Sequence, residues 1–164
     1  MALAPLDPVF TILTREGEVH WSMGEMYAGF AKSRVDHSAM LVTKISIPLP
    51  GPGQAASFVR LELRKSLSLP MLNCAAMVQC SGGVVDWARI TMAPVGVGPV
   101  RATAAEAYLS GKELDAGTMA QAGRLALENA NPRSNPLRGS REYRLETLPV
   151  LIRRALEACR DQLT

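Results

Sequence analysis

The sequence is poor in the residues that carry most protein chemistry. Of its 164 residues, only two are histidine and three are cysteine, and aromatic residues make up 5%. The cysteines, Cys74, Cys80 and Cys159, form no CxxC pair and lie inside apolar patterns. They are predicted to be reduced, buried thiols of a cytoplasmic protein. No ligand spacing for a metal is present, so no metal site is expected.

Long apolar runs and strong charge are also missing. No segment reaches the roughly 18 uninterrupted apolar residues that a membrane helix needs, and the N-terminus has no basic leader. The net charge of +3 is too small to make nucleic acid the expected partner. A cytoplasmic protein without membrane or nucleic-acid partners is therefore predicted. Neither His20 nor His37 has a nucleophile motif nearby, so no catalytic residue is assigned.

What is present is an apolar content of 48%, enough for a hydrophobic core. Residues 9–14 and 18–21 predict a hairpin, and residues 41–47 predict a further strand. The segment PLPGPG at 48–53 then interrupts regular structure, because its prolines and glycines suit neither a helix nor a central strand. The chain is therefore divided into domains at 1–50 and 51–164.

Strands and then helices are predicted in the second domain. The strands are placed at 57–64, 71–80 and 84–93, the last two joined by a Gly82-Gly83 turn, and the helices at 102–111, 116–130 and after Ser140. The final helix has an apolar stripe at helical spacing. Three antiparallel strands followed by helices predict an α+β fold with the helices on one face, preceded by a small β-rich segment.

Two local signals bear on the helices. Ser22 and Glu25 have capping-box spacing, which predicts a short helical turn after them. Pro149 is predicted to start a new helical segment or to kink the last helix, because it has no amide hydrogen to donate.

Cations raise the main functional questions. Three cations lie where a predicted strand runs into a loop, namely Arg60, Arg64 and Lys65. They could form a solvated face, a patch that binds nucleic acid, or a site that binds an anion. The segment GVGPVR at 96–101 lacks the third glycine of a dinucleotide loop and is interpreted as a plain connection. Seven arginines between 133 and 160 predict either a solvated helix face with ion pairs or a surface that binds an acidic partner.

Three long motifs resemble a known family. These are SFVRLELRKSLSLPMLNCAAMVQ, SGGVVDWARITMAPVGVGPVRATAAEAYLSGK and NPLRGSREYRLETLPVLIRRALEAC. Across 57–160 they are similar to the C-terminal domain of the flavoprotein subunit of molybdenum hydroxylases, the family of carbon monoxide dehydrogenase and xanthine dehydrogenase. The resemblance implies a three- to four-stranded antiparallel sheet carrying three helices. It also implies that residues 1–50 are the incomplete tail of a FAD-binding domain, although Met40 replaces the acidic residue usual in the family.

The resemblance implies FAD as the cofactor of the complete subunit. Arg60 matches a cation that faces the isoalloxazine end of FAD, where a fixed positive charge would favour the anionic reduced flavin. Val42 matches a further flavin contact, and Arg64 and Lys65 match positions close to the site. The glycine-rich loops that hold the FAD pyrophosphate in the family have no counterpart in this sequence.

Two functions follow as hypotheses. In the first, the chain completes the FAD pocket and helps relay electrons, in association with an upstream FAD-binding half and with iron–sulfur and molybdopterin subunits. Turnover by the 164 residues alone is not expected. In the second, the chain is a non-catalytic assembly module that docks a partner subunit or self-associates as a homo-oligomer.

Overall fold

The computed structural model describes residues 1–29, 32–64 and 66–163, and the chain divides into two compact units. The smaller unit contains residues 6–49. The larger unit contains residues 1–5 and 50–164. Each unit has its own hydrophobic cluster.

The smaller unit is built on a three-stranded antiparallel sheet. Strand β1 (Val9–Thr14) pairs with β2 (Gly17–Ser22) on one side and with β5 (Leu41–Ser46) on the other. The strands β3 (Tyr27–Gly29) and β4 (Lys32–Ser33) form a separate short pair.

The predicted helical turn after Ser22 is wrong. The Glu25 carboxylate accepts hydrogen bonds from the backbone N–H and the hydroxyl of Ser22, each at 2.7 Å. These bonds lower the pKa of Glu25. However, the chain turns at once into β3, so the contact closes a turn and caps no helix.

The larger unit has an α+β fold, as predicted. Its antiparallel sheet has the order β6-β7-β8-β9. The strands are β6 (Gln54–Leu61), β7 (Leu72–Ser81), β8 (Val84–Ala93) and β9 (Val100–Arg101), followed by helices α1 (Thr103–Leu109), α2 (Ala116–Leu125) and α3 (Arg141–Leu163). The turn between β7 and β8 uses Gly82 and Gly83 at φ of 58° and 84°, a conformation that glycine adopts without strain.

The core lies between the sheet and the helices. Alternate residues of β7 point into it because side chains of a strand alternate between its two faces, and four of them are fully buried: Leu72, Cys74, Ala76 and Val78. The predicted stripe of α3 is buried against them, namely Leu148, Leu151, Ile152, Ala155, Leu156 and Cys159. Helix α3 continues through Pro149 as one helix, so no new segment begins there.

Two hydrogen bonds join β6, the first strand of the larger unit, to α3. The Ser57 hydroxyl donates to the Ala155 carbonyl at 2.7 Å, and the Gln162 amide donates to the Ala56 carbonyl at 3.0 Å. Helix α2 also approaches α3 closely, since a Cβ added at Gly123 would lie 2.7 Å from the Pro149 carbonyl oxygen. The helices therefore set the position of β6 in the sheet.

Truncating the α3 stripe is expected to destabilise the larger unit. Ile152 is fully buried, so Ile152→Ala removes apolar contacts and leaves a cavity. We expect a loss of about 2–5 kcal/mol in the free energy of unfolding, measured by urea denaturation followed by circular dichroism.

Val150→Ala on the same helix is the matched control, because this side chain is 42% exposed. It is expected to change the free energy of unfolding by no more than about 0.5 kcal/mol. Equal losses in the two variants would contradict the assignment of this stripe to the core.

Candidate functional site

Arg60 lies on the sheet face that points away from the helices. Its neighbours Val59 and Leu61 pack against the main core, and alternation along β6 turns Arg60 to the opposite face. Its side chain is 41% exposed. The strand therefore presents a guanidinium on an accessible surface, as its sequence pattern predicts.

Two acceptors hold this guanidinium in place. Nη2 of Arg60 donates to the Ser68 carbonyl at 2.8 Å and lies 2.8 Å from a carboxylate oxygen of Glu62. Within the part of the chain that the structure describes, Nη1 and Nε of Arg60 have no hydrogen-bond partner. The guanidinium is thus held through Nη2, and its Nη1 and Nε donors can bind an acceptor such as a carboxylate, a phosphate or a ring carbonyl.

Asn73 is a neighbour of Arg60 that the sequence analysis did not single out. The two residues are directly opposed in the β6–β7 register and therefore share a face. Asn73 is 7% exposed, and its Oδ1 has no hydrogen-bond partner in the described chain. A buried polar atom without a partner is costly and often marks a site for a missing group. The available signal was an asparagine inside the otherwise apolar run MLNCAAMV.

Arg64 lies outside the strand predicted for it. Strand β6 ends at Leu61, where its pairing with β7 ends at Leu72, and the Met71 N–H donates to the Leu61 carbonyl at 2.8 Å across the ends of the connection between the two strands. Nη2 of Arg64 donates to the Leu67 carbonyl in this loop at 2.6 Å. Both predicted arginines thus donate to the loop backbone. Lys65 lies outside the described residues.

Val42 belongs to the smaller unit. It lies on β5 opposite Ile12 and is 37% exposed. Val42 and Arg60 therefore belong to different compact units.

The other predicted features have local explanations. The segment at 96–101 connects β8 to α1 through β9, as a plain connection would. Arg153 pairs with Glu157 at 2.6 Å and Arg160 with Asp161 at 2.8 Å, which suits a solvated helix face. Within the described ranges, no three His, Cys, Asp or Glu side chains come together in a way that suits a metal ion.

Arg144 differs from these exposed arginines. It is 5% exposed and donates to the carbonyls of Pro94 and Arg138 at 3.4 and 3.2 Å. Burial lowers its pKa, and the charges of Arg138 and Arg133 lower it further. These bonds join the start of α3 to two connecting segments, which gives Arg144 a structural role.

A cavity of about 470 Å³ lies at the opposite end of β6 from Arg60. It is lined in part by Gly53, Cys80, Glu113, Asp115 and Arg160. In the smaller unit, a cavity of about 370 Å³ is lined in part by Thr14, Val19, Trp21 and Met40. Neither lining includes Arg60 or Val42.

Comparison with protein families decides the identity of the larger unit. Residues 57–159 match the family described as the CO dehydrogenase flavoprotein C-terminal domain. The chain belongs to this family. The match contains residues 57–61 of β6 with Arg60, all of β7 with Asn73, and residues 141–159 of α3.

Solved structures share the fold over nearly the whole chain. Carbon monoxide dehydrogenase from Hydrogenophaga pseudoflava, in a form that lacks the Mo-pyranopterin moiety, matches at 23% identity with a TM-score of 0.90 over 99% of this chain. Quinoline 2-oxidoreductase from Pseudomonas putida 86 matches at 26% identity with a TM-score of 0.88 over 99%. Reconstituted CO dehydrogenase from Oligotropha carboxidovorans matches at 26% identity with a TM-score of 0.87 over 98%.

The present chain spans only 55% of the length of each of these solved chains. The search of curated proteins found no match. Among the described helices, none combines the length and the apolar content needed to cross a lipid bilayer.

The three cysteines of this flavoprotein domain are free thiols, and Cys74 and Cys159 are buried as predicted, whereas the predicted burial is wrong for Cys80. Burial raises the pKa of Cys74 far above its usual range and raises that of Cys159 to about 11. Cys80 is half-buried, and burial and the nearby Asp86 carboxylate raise its pKa. A raised pKa lowers the fraction of reactive thiolate at any given pH.

Iodoacetamide at pH 8 is therefore expected to label the native chain slowly at Cys80 and not at Cys74 or Cys159. Peptide mass spectrometry after timed quenching measures each site, and labelling in urea should reach all three. Cys80→Ser is the control, since it should leave the native chain unlabelled. Rapid native labelling of Cys74 would contradict its burial in the core.

Proposed function

We propose that this chain acts as the C-terminal part of a molybdenum hydroxylase flavoprotein subunit, where it completes a FAD pocket and helps relay electrons. The observation that carries the proposal is Arg60, a fixed and accessible cation inside the region that matches the family. The family supplies the flavoprotein context, and the sheet supplies a residue whose chemistry suits a flavin.

The residues around Arg60 fit such a group. The flavin ring offers carbonyl and nitrogen acceptors, and Nη1 and Nε of Arg60 make no hydrogen bond to any described residue. Asn73 adds a side chain whose Oδ1 lacks a partner on the same sheet face. Phe58 shares this face and is 44% exposed, which suits contact with a flat ring. These three residues are proposed to meet the isoalloxazine end of FAD.

Arg60 is proposed to act through its charge. FAD, when bound, accepts and donates electrons, and negative charge that develops on its ring is stabilised by a nearby cation. Glu62 opposes this effect, because its carboxylate lies 2.8 Å from the Arg60 guanidinium and partly neutralises it. Arg60 and Glu62 together therefore determine the net electrostatic potential at the flavin ring.

A further proposed contact for the flavin comes from the smaller unit. Residues 1–50 would be the tail of a FAD-binding domain, with Val42 as an apolar contact for the flavin. Arg64 and Lys65 would lie near the site, with Arg64 stabilising the loop that also orients Arg60 through Ser68. An upstream FAD-binding half and iron–sulfur and molybdopterin subunits are the proposed partners, and the cytoplasm is the proposed location.

Substitution of Arg60 tests the proposal. The chain is fused to the N-terminal part of the Oligotropha carboxidovorans CO dehydrogenase chain that it does not match, and FAD binding is measured by fluorescence. Arg60→Ala is expected to weaken binding about tenfold, which corresponds to about 1.4 kcal/mol. It should also lower the flavin midpoint potential, because the anionic reduced flavin loses more stabilisation than the oxidised flavin. A further tenfold loss of affinity for the reduced form alone corresponds to about 30 mV for a two-electron couple.

Three further variants make the result specific. Arg60→Lys should lower the midpoint potential less than Arg60→Ala, because it keeps a positive charge. Glu62→Gln should raise the midpoint potential above that of the unsubstituted fusion, because it removes the carboxylate that partly neutralises Arg60. Arg153→Ala is the matched control, since Arg153 is also 41% exposed and also paired with a carboxylate. An unchanged flavin titration in Arg60→Ala would remove Arg60 from the site.

A further inference from the structure

The cavity of about 470 Å³ in the larger unit is bounded by segments that are distant in the sequence. Its wall includes the end of β7 at Cys80, where the register with β8 shifts, and the Gly82-Gly83 turn. The connection between α1 and α2 and the last turn of α3 complete it. The volume falls within the range of about 300–1,000 Å³ that is typical of small-molecule sites. None of the described residues proposed to contact FAD belongs to this lining.

Backbone hydrogen bonds hold the wall in place. The Cys80 N–H donates to the Gly53 carbonyl at 2.8 Å. The Val85 N–H donates to the Lys112 carbonyl at 2.9 Å, and the Gly111 N–H donates to the Val85 carbonyl at 2.8 Å. Gly53 also allows a close approach, since a Cβ at this position would lie 2.6 Å from the Cys80 carbonyl oxygen. The cavity is therefore shaped by fixed backbone on two sides.

The lining combines an apolar part with an acidic part. Leu114 belongs to the main core and is 7% exposed, and Leu163 packs against the same core. Glu113 and Asp115 lie on either side of Leu114 in the sequence and also line the cavity. The Glu113 carboxylate makes no hydrogen bond or ion pair with any described residue. It is thus available to a ligand.

The Asp115 carboxylate is fixed at the start of α2. Its Oδ1 accepts from the Thr118 N–H at 2.7 Å, and its Oδ2 accepts from the Thr118 hydroxyl at 3.2 Å. The bond from the Thr118 N–H lowers the pKa of Asp115, so the side chain is ionised at neutral pH. A carboxylate has about four lone-pair sites, so Asp115 can also accept from a ligand.

Arg160 is the single cation among the described residues of the lining, and its charge is partly neutralised. Its Nε and Nη2 donate to Oδ1 of Asp161 at 3.1 and 2.8 Å. Three carboxylates and one guanidinium therefore surround the cavity. The excess of negative charge disfavours an anion and favours a cation, because opposite charges attract.

We propose that this cavity binds a small organic cation, namely an amine or amidine with an apolar body. The charged nitrogen lies beside Glu113 and Asp115, and the apolar body lies against Leu114 and Leu163. Removal of apolar surface from water supplies affinity, and the carboxylates select the sign of the charge. This inference goes beyond the proposed function and does not rest on it, because it uses no residue assigned to the flavin.

Three probes of nearly the same shape separate charge from shape. Benzamidine is positively charged, benzamide is neutral and benzoate is negatively charged. Each is titrated into the isotope-labelled chain, and the amide shifts in nuclear magnetic resonance spectra give both the site and the Kd. Benzamidine is expected to shift the amides of Gly83, Leu114 and Leu163. It should bind about tenfold more tightly than benzamide, because two exposed ion pairs are added, and benzoate should bind most weakly.

Substitutions test the two parts of the lining. Glu113→Gln should weaken benzamidine about threefold and leave benzamide unchanged, because it removes a charge and keeps the shape. Leu163→Ala should weaken both probes, because both lose an apolar contact. Glu146→Gln is the matched control for charge, since Glu146 is also an exposed glutamate but lies outside the lining, and it should leave both Kd values unchanged.

The outcomes that would overturn the proposal are equally specific. Benzamidine that shows no saturable binding, or shifts only amides outside the lining, would exclude this cavity as the site. Benzoate that binds more tightly than benzamidine would exclude a cation as the ligand. Equal effects of Glu113→Gln and Glu146→Gln on benzamidine would exclude Glu113 as its partner. These titrations need no FAD, so their failure would leave the proposed flavin function in place.

Discussion

The structure of the larger unit depends on the burial of one face of α3 against β6 and β7. The stripe from Leu148 to Cys159 covers alternate residues of the sheet, and apolar burial of this kind is the main driving force for folding. Two hydrogen bonds from Ser57 and Gln162 then align β6 with the helix. Because side chains of a strand alternate, packing one face of β6 against α3 turns Arg60 to the other face. Core and candidate site are thus two sides of one strand.

The candidate site shows a balance between orientation and charge. The Ser68 carbonyl and the Glu62 carboxylate orient Arg60, but Glu62 also reduces the field that a ligand would meet. Asn73 is paired with Arg60 across the β6–β7 register, and its Oδ1 has no hydrogen-bond partner among the described residues. A charge that is held in place costs little reorganisation when a ligand arrives, so this arrangement suits the tuning of a bound cofactor more than covalent chemistry.

The smaller unit presents the opposite situation, with strong local structure and little core. Its hairpin and β5 are well defined in register, yet much of their aliphatic surface is open. Residues on both faces of β5 are exposed, since none of the described residues of this unit forms a second layer over them.

The sequence by itself determined the order and type of the main elements. The β-rich run after the Gly82-Gly83 turn predicted β8 at its observed bounds, helical spacing predicted the buried stripe of α3, and the fold class followed from strands preceding helices. Local patterns gave wrong predictions where contacts with other segments determine the structure. The Ser22–Glu25 contact closes a turn that leads into a strand, not a helix. Strand β6 ends at Leu61 because its pairing with β7 ends at Leu72. Only the tertiary structure brought Asn73, Glu62 and the Ser68 carbonyl to Arg60. Those neighbours come from strand register and loop closure, which depend on contacts between distant residues and leave little trace in local sequence.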